Sequence, residues 1–178
     1  MIGLNYLGKM GQLGNQMFQY AALKGIAKNR GLEYTVPNHK EVLEDGLGNQ
    51  LRIELYDAFD IYPKNQGLLP TNEYVQEAYF HFDQDLYNEC PDNCSVVGYF
   101  QTEKYFVNIR DEIVKDFKVK KEYRDDCKSI LKQFDHPIAL HIRRGDYVIN
   151  SENHFNLPIE YYDAALKHFD DDRNVIVF

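Results

Sequence analysis

The sequence predicts an α/β fold, and three observations predict it. Short apolar runs alternate with longer stretches whose apolar residues recur at helical spacing. A glycine-rich turn joins the first apolar run to the first helical stretch. The resulting strand–loop–helix–strand pattern occurs near the start of the chain and begins again near residue 136.

The elements follow in order. Ile2–Tyr6 is a short apolar strand, and 8–15 is the glycine-rich turn. From Gln16 to Ala27 the residues Met17, Phe18, Tyr20, Ala21, Leu23, Ile26 and Ala27 form a broad helical face, with Asn15 as the expected N-cap and Gly31 as the stop. Tyr34–Val36 is a second strand, closed by Pro37. Arg52–Ile61 fits helix or strand, 74–82 reads as extended, and Ser95–Phe100 as a strand. Thr102 is placed to cap a helix carrying Phe106, Ile109, Ile113 and Phe117 on one face. A further helix is expected to turn Tyr123, Cys127, Ile130, Leu131 and Phe134 inward, after a solvated connector at 118–122. His136-Pro137 breaks the pattern. Ile138–Ile142 is a compact strand, Pro158 sits at a first helical turn, Ile159–Phe169 is a helix, and Val175–Phe178 is the last strand.

Composition narrows the function. The chain has 178 residues, 44% of them hydrophobic and 27% charged, which excludes disorder and collagen-like structure. The net charge of −8 argues against a general nucleic-acid binder, though not against a local arginine cluster for one anion. Fourteen tyrosines and eleven phenylalanines suit a polar cleft or a half-wet core. The cysteines Cys90, Cys94 and Cys127 are odd in number and form no disulfide framework, and no second ligand pair accompanies Cys90 and Cys94. Met1–Tyr6 has no basic leader, and no apolar run reaches the ~18 residues of a membrane span. The expected setting is cytoplasmic, or peripheral at the inner membrane face, with no nucleic acid and no membrane span. Two parallel strands cannot cover their own faces. The expectation is therefore that the chain is cut within a domain, or completes its sheet with a missing carboxyl-terminal lobe or a partner chain.

Two segments carry chemistry. In His141-Ile142-Arg143-Arg144-Gly145-Asp146-Tyr147 the arginines follow a strand, where open α/β sheets place their ligands. Two guanidiniums can hold a diphosphate through forked hydrogen bonds. Alternation puts His141 and Arg143 on one side and Arg144 on the other, and Gly145 permits a tight turn. Asp146 could orient a guanidinium or act as a base. An Arg–Asp salt bridge ending the strand, or a surface Arg-Gly-Asp tripeptide, fits the same residues. In the second segment, Gly11-Gln12-Leu13-Gly14-Asn15-Gln16, glycines precede a helix start and leave N–H groups for an anion or a sugar hydroxyl. It is neither a P-loop nor a dinucleotide fingerprint, and a plain capping turn is the competing reading. Leu47-Gly48-Asn49-Gln50 echoes it without the amphipathic helix and reads as coincidence. The six histidines lack metal-site spacing, and no nucleophile elbow occurs.

Taken together the pieces resemble the alpha-1,2-fucosyltransferases of glycosyltransferase family 11. The ordered matches are GQLGNQMFQYA at 11–21, VVGYFQTEKYF at 96–106, HIRRGDYV at 141–148, LPIEYYDAAL at 157–166 and VIVF at 175–178. The HxRRGDY motif is specific to the fucosyltransferase superfamily. The resemblance implies a GT-B-like fold: a Rossmann-like amino-terminal, acceptor-side lobe at 1–135, and at 136–178 the first βαβ unit of an incomplete lobe that binds GDP-fucose. It implies inverting transfer of L-fucose from GDP-β-L-fucose to the 2-hydroxyl of a galactoside, with no cofactor or metal. Arg143 matches the arginine on the β-phosphate and Arg144 its neighbour, which supports the loop or the diphosphate. His141 matches the histidine beside the nucleotide. Asn15, with Gly14 and Gln16, matches the loop that reaches the sugar donor. Arg143, Asp146 and Asn15 are the expected catalytic residues. Members of the family continue past VIVF into further strands that hold guanosine. The alternative is a non-catalytic glycan- or partner-binding module derived from the same lobe.

Overall fold

The computed structural model describes residues 1–38, 43–44, 50–152 and 154–178, at 43, 44, 50, 51 and 146 by their backbone. The chain divides into two compact units, Met1–Lys120 and Lys121–Phe178. The sequence places its boundary later, at 135/136.

The first unit begins with β1 (Ile2–Gly3), α1 (Leu13–Arg30) and β2 (Tyr34–Thr35). A hairpin of β3 (Leu43–Glu44) and β4 (Gln50–Leu51) follows, pairing Leu43 with Leu51 and Glu44 with Gln50. Residues 45–49, most of the Leu47–Gln50 echo, lie outside the described residues, as does His39. Then come α2 (Leu55–Ala58), β5 (Tyr74–Gln76), α3 (Gln84–Glu89) and β6 (Ser95–Val97). Two 3₁₀ turns, Glu103–Tyr105 and Val107–Ile109, lead into α4 (Arg110–Asp116). The strands pair in parallel in the order β2-β1-β6-β5. Parallel neighbours need a crossover; α1 supplies it between β1 and β2, and α3 between β5 and β6. The α/β expectation holds in this form, as a mixed fold with a parallel sheet.

α1 is the core of this unit. Gln16, Gln19, Tyr20, Ala21, Ala22, Leu23, Gly25, Ile26 and Ala27 are all buried. Its inner side meets Ile2, Leu4, Val36, Phe100 and Tyr105, and a second small cluster joins Ala21 to Ile109 and Ile113. Gly25 permits the close approach: a Cβ there would stand 1.9 Å from the Tyr105 carbonyl oxygen. Gly31 ends the helix in the left-handed region (φ 65°), its N–H bonded to the Ala27 and Lys28 carbonyls.

Two local expectations are corrected, for Asn15 and Thr102, and one open alternative, at Arg52–Ile61, is decided. The N-cap of α1 is Gln12, so Asn15 lies within the first turn. The reason is that Glu54 accepts the Leu13 N–H, which lets the helix start earlier. Arg52–Ile61 becomes the short α2, followed by Phe59 bridging Val119 in antiparallel fashion. Thr102 does cap, accepting from Lys104 N, but it opens a 3₁₀ turn, and the α-helix starts only at Arg110.

The second unit contains α5 (Lys121–Leu131), β7 (Ile138–Leu140), α6 (Asp146–Ile149), α7 (Ile159–Leu166) and β8 (Val175–Val177). β7 and β8 pair in parallel, Ile138 with Val175 and Leu140 with Val177. The ladder runs on through Phe178 N to Leu140 O and Ile142 N to Phe178 O. Ile138 and Tyr162 are buried. The inward face expected of α5 is not realised: no residue of α5 is buried, and Tyr123, Ile130 and Leu131 are exposed. Helical spacing marks an apolar face, but only a packed neighbour buries it.

Candidate active site

In the first unit the glycine-rich loop lies at the carboxyl end of β1. The chain leaves β1, turns through 5–9 and enters α1. Three side chains fix this entry. Gln16, buried, donates from Nε2 to Arg52 O (3.1 Å) and Gly11 O (3.3 Å), and its Oε1 accepts Glu54 N (2.8 Å). Gln19, also buried, donates to Met10 O at 2.9 Å. Glu54 accepts Leu13 N at 2.5 Å. Gln16 is expected among the groups that touch the sugar donor. Its amide is instead turned inward and satisfied, so it shapes the loop. Glu54 likewise covers one of the helix N–H groups expected to be open. Gly8, Lys9, Gly11, Gln12, Arg52 and Glu54 line a cavity of about 300 Å³ beside the loop.

Asn15 is half-exposed on the first turn of α1. Its Oδ1 accepts from Gln101 Nε2 at 2.8 Å, which ties the α1 turn to the segment after β6. Its amide packs onto Gly11, where φ is +82° and a Cβ would fall 2.1 Å from Asn15 Nδ2. Gly14 faces open space: a Cβ there would meet no atom within 4 Å. Gln19, Glu54 and Gln101 carry no expected role, although Gln19 and Gln101 lie within the matched segments 11–21 and 96–106. A further signal for Gln19 is that it stands three residues after Gln16 on the same helical face. Glu54 and Gln101 are brought in by chain segments remote in sequence.

In the second unit the arginine segment follows β7. His141, Arg143 and Arg144 are exposed, and Gly145 makes the expected tight turn with φ +66°. The two guanidiniums diverge. Arg143 lies over the Tyr147 ring, 4.6 Å from its centroid, and Tyr147 in turn stacks on His154 at 4.1 Å and 6°. This layered arrangement holds a cation at the strand end by ring-quadrupole attraction. Arg144 reaches the other way and donates to Leu157 O at 3.0 Å, bracing the loop ahead of α7. Asn156 closes the same loop, donating to Tyr147 O at 2.8 Å. The Asp146 side chain lies outside the described residues.

A second cleft of this unit, about 360 Å³, sits at the opposite, amino-terminal edge of β7 and β8. Asp135, Asp170 and Asp172 line it with Arg173, so an anionic ligand is disfavoured there. Among the described residues no group of three or more His, Cys, Asp or Glu side chains could hold a metal ion, and no helix is long and apolar enough to cross a membrane.

Open α/β sheets bind their ligands outside the carboxyl ends of the strands, which is where Arg143 stands. Comparison with known proteins gives the class: the family description "Glycosyl transferase family 11" matches residues 1–178, and the chain belongs to that family of glycosyltransferases. It is 27% identical to the O-antigen biosynthesis glycosyltransferase WbnK of Escherichia coli, over 94% of this chain and 70% of that protein. It is also 27% identical to the galactoside alpha-(1,2)-fucosyltransferase 2 of Mus musculus, over 82% of this chain and 42% of that protein. It is 23% identical to an alpha-1,2-colitosyltransferase of Escherichia coli, over 94% of this chain and 64% of that protein. The chain thus spans less than half the length of its mammalian relative. No solved structure matches the chain.

Proposed function

We propose that this chain is part of an inverting, metal-independent fucosyltransferase of GT-B form that acts on galactosides. In the reaction the acceptor 2-hydroxyl oxygen bonds to C1 of L-fucose. The bond from C1 to the β-phosphate oxygen breaks, and GDP leaves with the electron pair. The hydroxyl proton passes to a base, for which Asp146 is the candidate. Negative charge grows on the departing diphosphate, and a fixed cation stabilises it where it develops.

The observation that carries this reading is Arg143, held over Tyr147 at the carboxyl end of β7. Arg144 serves as the brace of that loop through Leu157, and His141 is assigned to the nucleotide; within the first unit, Asn15 and Gly14 are assigned to contacts with the sugar donor. Membership of family 11 and the activities for which the relatives are named support fucosyl transfer to galactosides.

Arg143→Ala in the enzyme is expected to lower transfer from GDP-fucose to lactose about a hundredfold, the cost of losing one charge-assisted contact made in the transition state. Arg143→Lys is not expected to restore it, because lysine lacks the planar fork. Turnover of Arg143→Ala near that of the wild type, followed by mass spectrometry of the product, overturns the role given to this residue. A second reading keeps the scaffold and changes the sugar: the colitosyltransferase among the relatives favours it. A screen of guanosine-diphosphate sugars decides between them by which donor is consumed.

A further inference from the structure

The carboxyl edge of the four-stranded sheet carries exposed aromatic rings that no packing need explains. After β5 come Tyr79, Phe80 and His81, and after β6 come Tyr99 and Gln101. Phe80 is 85% exposed and Tyr79 57%. The rings are nevertheless ordered in pairs. Phe80 lies nearly parallel to Tyr99, with centroids 6.5 Å apart and planes at 22°. Tyr79 stacks on His81 at 4.7 Å and 18°. Leaving such faces in water forgoes the stabilisation that burying them would give.

The two loops are braced from beneath. Glu77 Oε2 accepts the N–H groups of Tyr99 (3.1 Å) and Phe100 (2.9 Å), and its Oε1 accepts the Tyr105 hydroxyl (2.9 Å). Asp83, buried, accepts Ala78 N at 3.0 Å. Phe100 is held at φ +52°, a left-handed conformation that is costly for a phenylalanine, with its ring buried against Tyr105. Strain of this kind persists where surrounding structure enforces it, and it clusters at functional sites. Here it separates Tyr99 from Gln101, which is exposed and bonded to Asn15.

We infer that this rim, with Phe80 and Tyr99 as stacking faces and Gln101 with Asn15 as the polar flank, is the binding subsite for the acceptor β-galactoside. A β-galactopyranoside turns its C3, C4 and C5 hydrogens to one side. Those polarised C–H groups complement the negative face of an aromatic ring, while the hydroxyls around the ring edge suit side-chain amides. The inference rests on the glycosyl-transfer reading above and names its acceptor subsite.

The test is saturation-transfer NMR on the full chain with methyl β-D-galactoside and with lactose. Saturation of the aromatic protons is expected to reach H3, H4 and H5 of galactose. Phe80→Ala and Tyr99→Ala should each weaken binding about tenfold, while Phe80→Tyr and Tyr99→Phe keep it. Phe80 is outside the core, so circular dichroism of Phe80→Ala should match the wild type. Absence of galactoside binding to the wild-type chain, or wild-type affinity in both alanine variants, overturns the subsite. Transfer from GDP-fucose is then assayed in the same variants of the enzyme. Ring-dependent galactoside binding without fucosyl transfer upholds the subsite and overturns the proposed reaction. Fucosyl transfer with an unchanged acceptor KM in both alanine variants does the reverse.

Discussion

The Tyr105 hydroxyl joins both loops of the carboxyl rim. It donates to Glu77 Oε1 and accepts from Asp83 N at 2.8 Å, inside a ring cluster with Phe82, Tyr87 and Phe100. Burial pushes its pKa above the ordinary value of 10.0, and the nearby Glu77 carboxylate adds to the rise. Tyr20 is shifted the same way, again chiefly by burial. A tyrosine whose folded pKa lies above its unfolded one leaves stability intact below pH ~10 and removes it as the pH rises further, because only the unfolded chain ionises there. Wild-type stability should therefore fall steeply above pH ~10. Tyr105→Phe should cost about 1–3 kcal/mol at neutral pH, since it orphans Asp83 N–H, and should show a shallower alkaline fall. Urea unfolding at pH 7.5 and pH 11 measures both, and identical alkaline slopes in the two proteins would refute the account. None of this was legible from the residue types alone, for Tyr105 stands in a sequence of ordinary half-buried aromatics. The arginine segment was legible, because Gly145 and the preceding strand act locally. That Arg143 and Arg144 face opposite ways was legible too, from strand alternation; the partners that receive them, Tyr147 stacked on His154 and the Leu157 carbonyl, were not.

At the scale of one element, α1 shows two glycines with opposite tasks. Gly25 lets the helix touch the Tyr105–Phe106 backbone, which cannot retreat as a flexible side chain would. Gly25→Ala should destabilise by about 3 kcal/mol despite alanine's better helix propensity. Gly14 meets nothing, so Gly14→Ala should stabilise by about 1 kcal/mol while raising the KM for GDP-fucose. Thermal melts with donor-dependent kinetics check the pair. A loss of stability in Gly14→Ala, or none in Gly25→Ala, contradicts the packing described. The helix itself, its buried face and its Gly31 stop follow from spacing and capping. Its start does not: Glu54, about forty positions onward and tied to Gln16, moves the first turn ahead of Asn15.

At the scale of the molecule, burial is unequal. The first unit encloses α1 on its inner side, whereas no residue of α5 is buried and the second unit buries Ile138 and Tyr162 among its apolar side chains. Opening free energy follows buried contact. Amides in the middle of α1 should exchange at least about a hundredfold more slowly than those of α5, a ratio that hydrogen exchange with mass spectrometry reads peptide by peptide. Equal protection of the two helices would mean that the α5 face is covered in solution.

By itself the sequence determined the alternation of strands and helices, the turn glycines at 31 and 145, and the motifs that mark family 11, because spacing, capping and turn chemistry act over a few residues. Tertiary structure alone decided where α1 begins, that Gln16 faces inward, that Asn15 meets Gln101, which groups receive the two arginines, and that an aromatic rim stands on Glu77. Each of these depends on a hydrogen bond or ring contact between segments whose approach local preference does not encode.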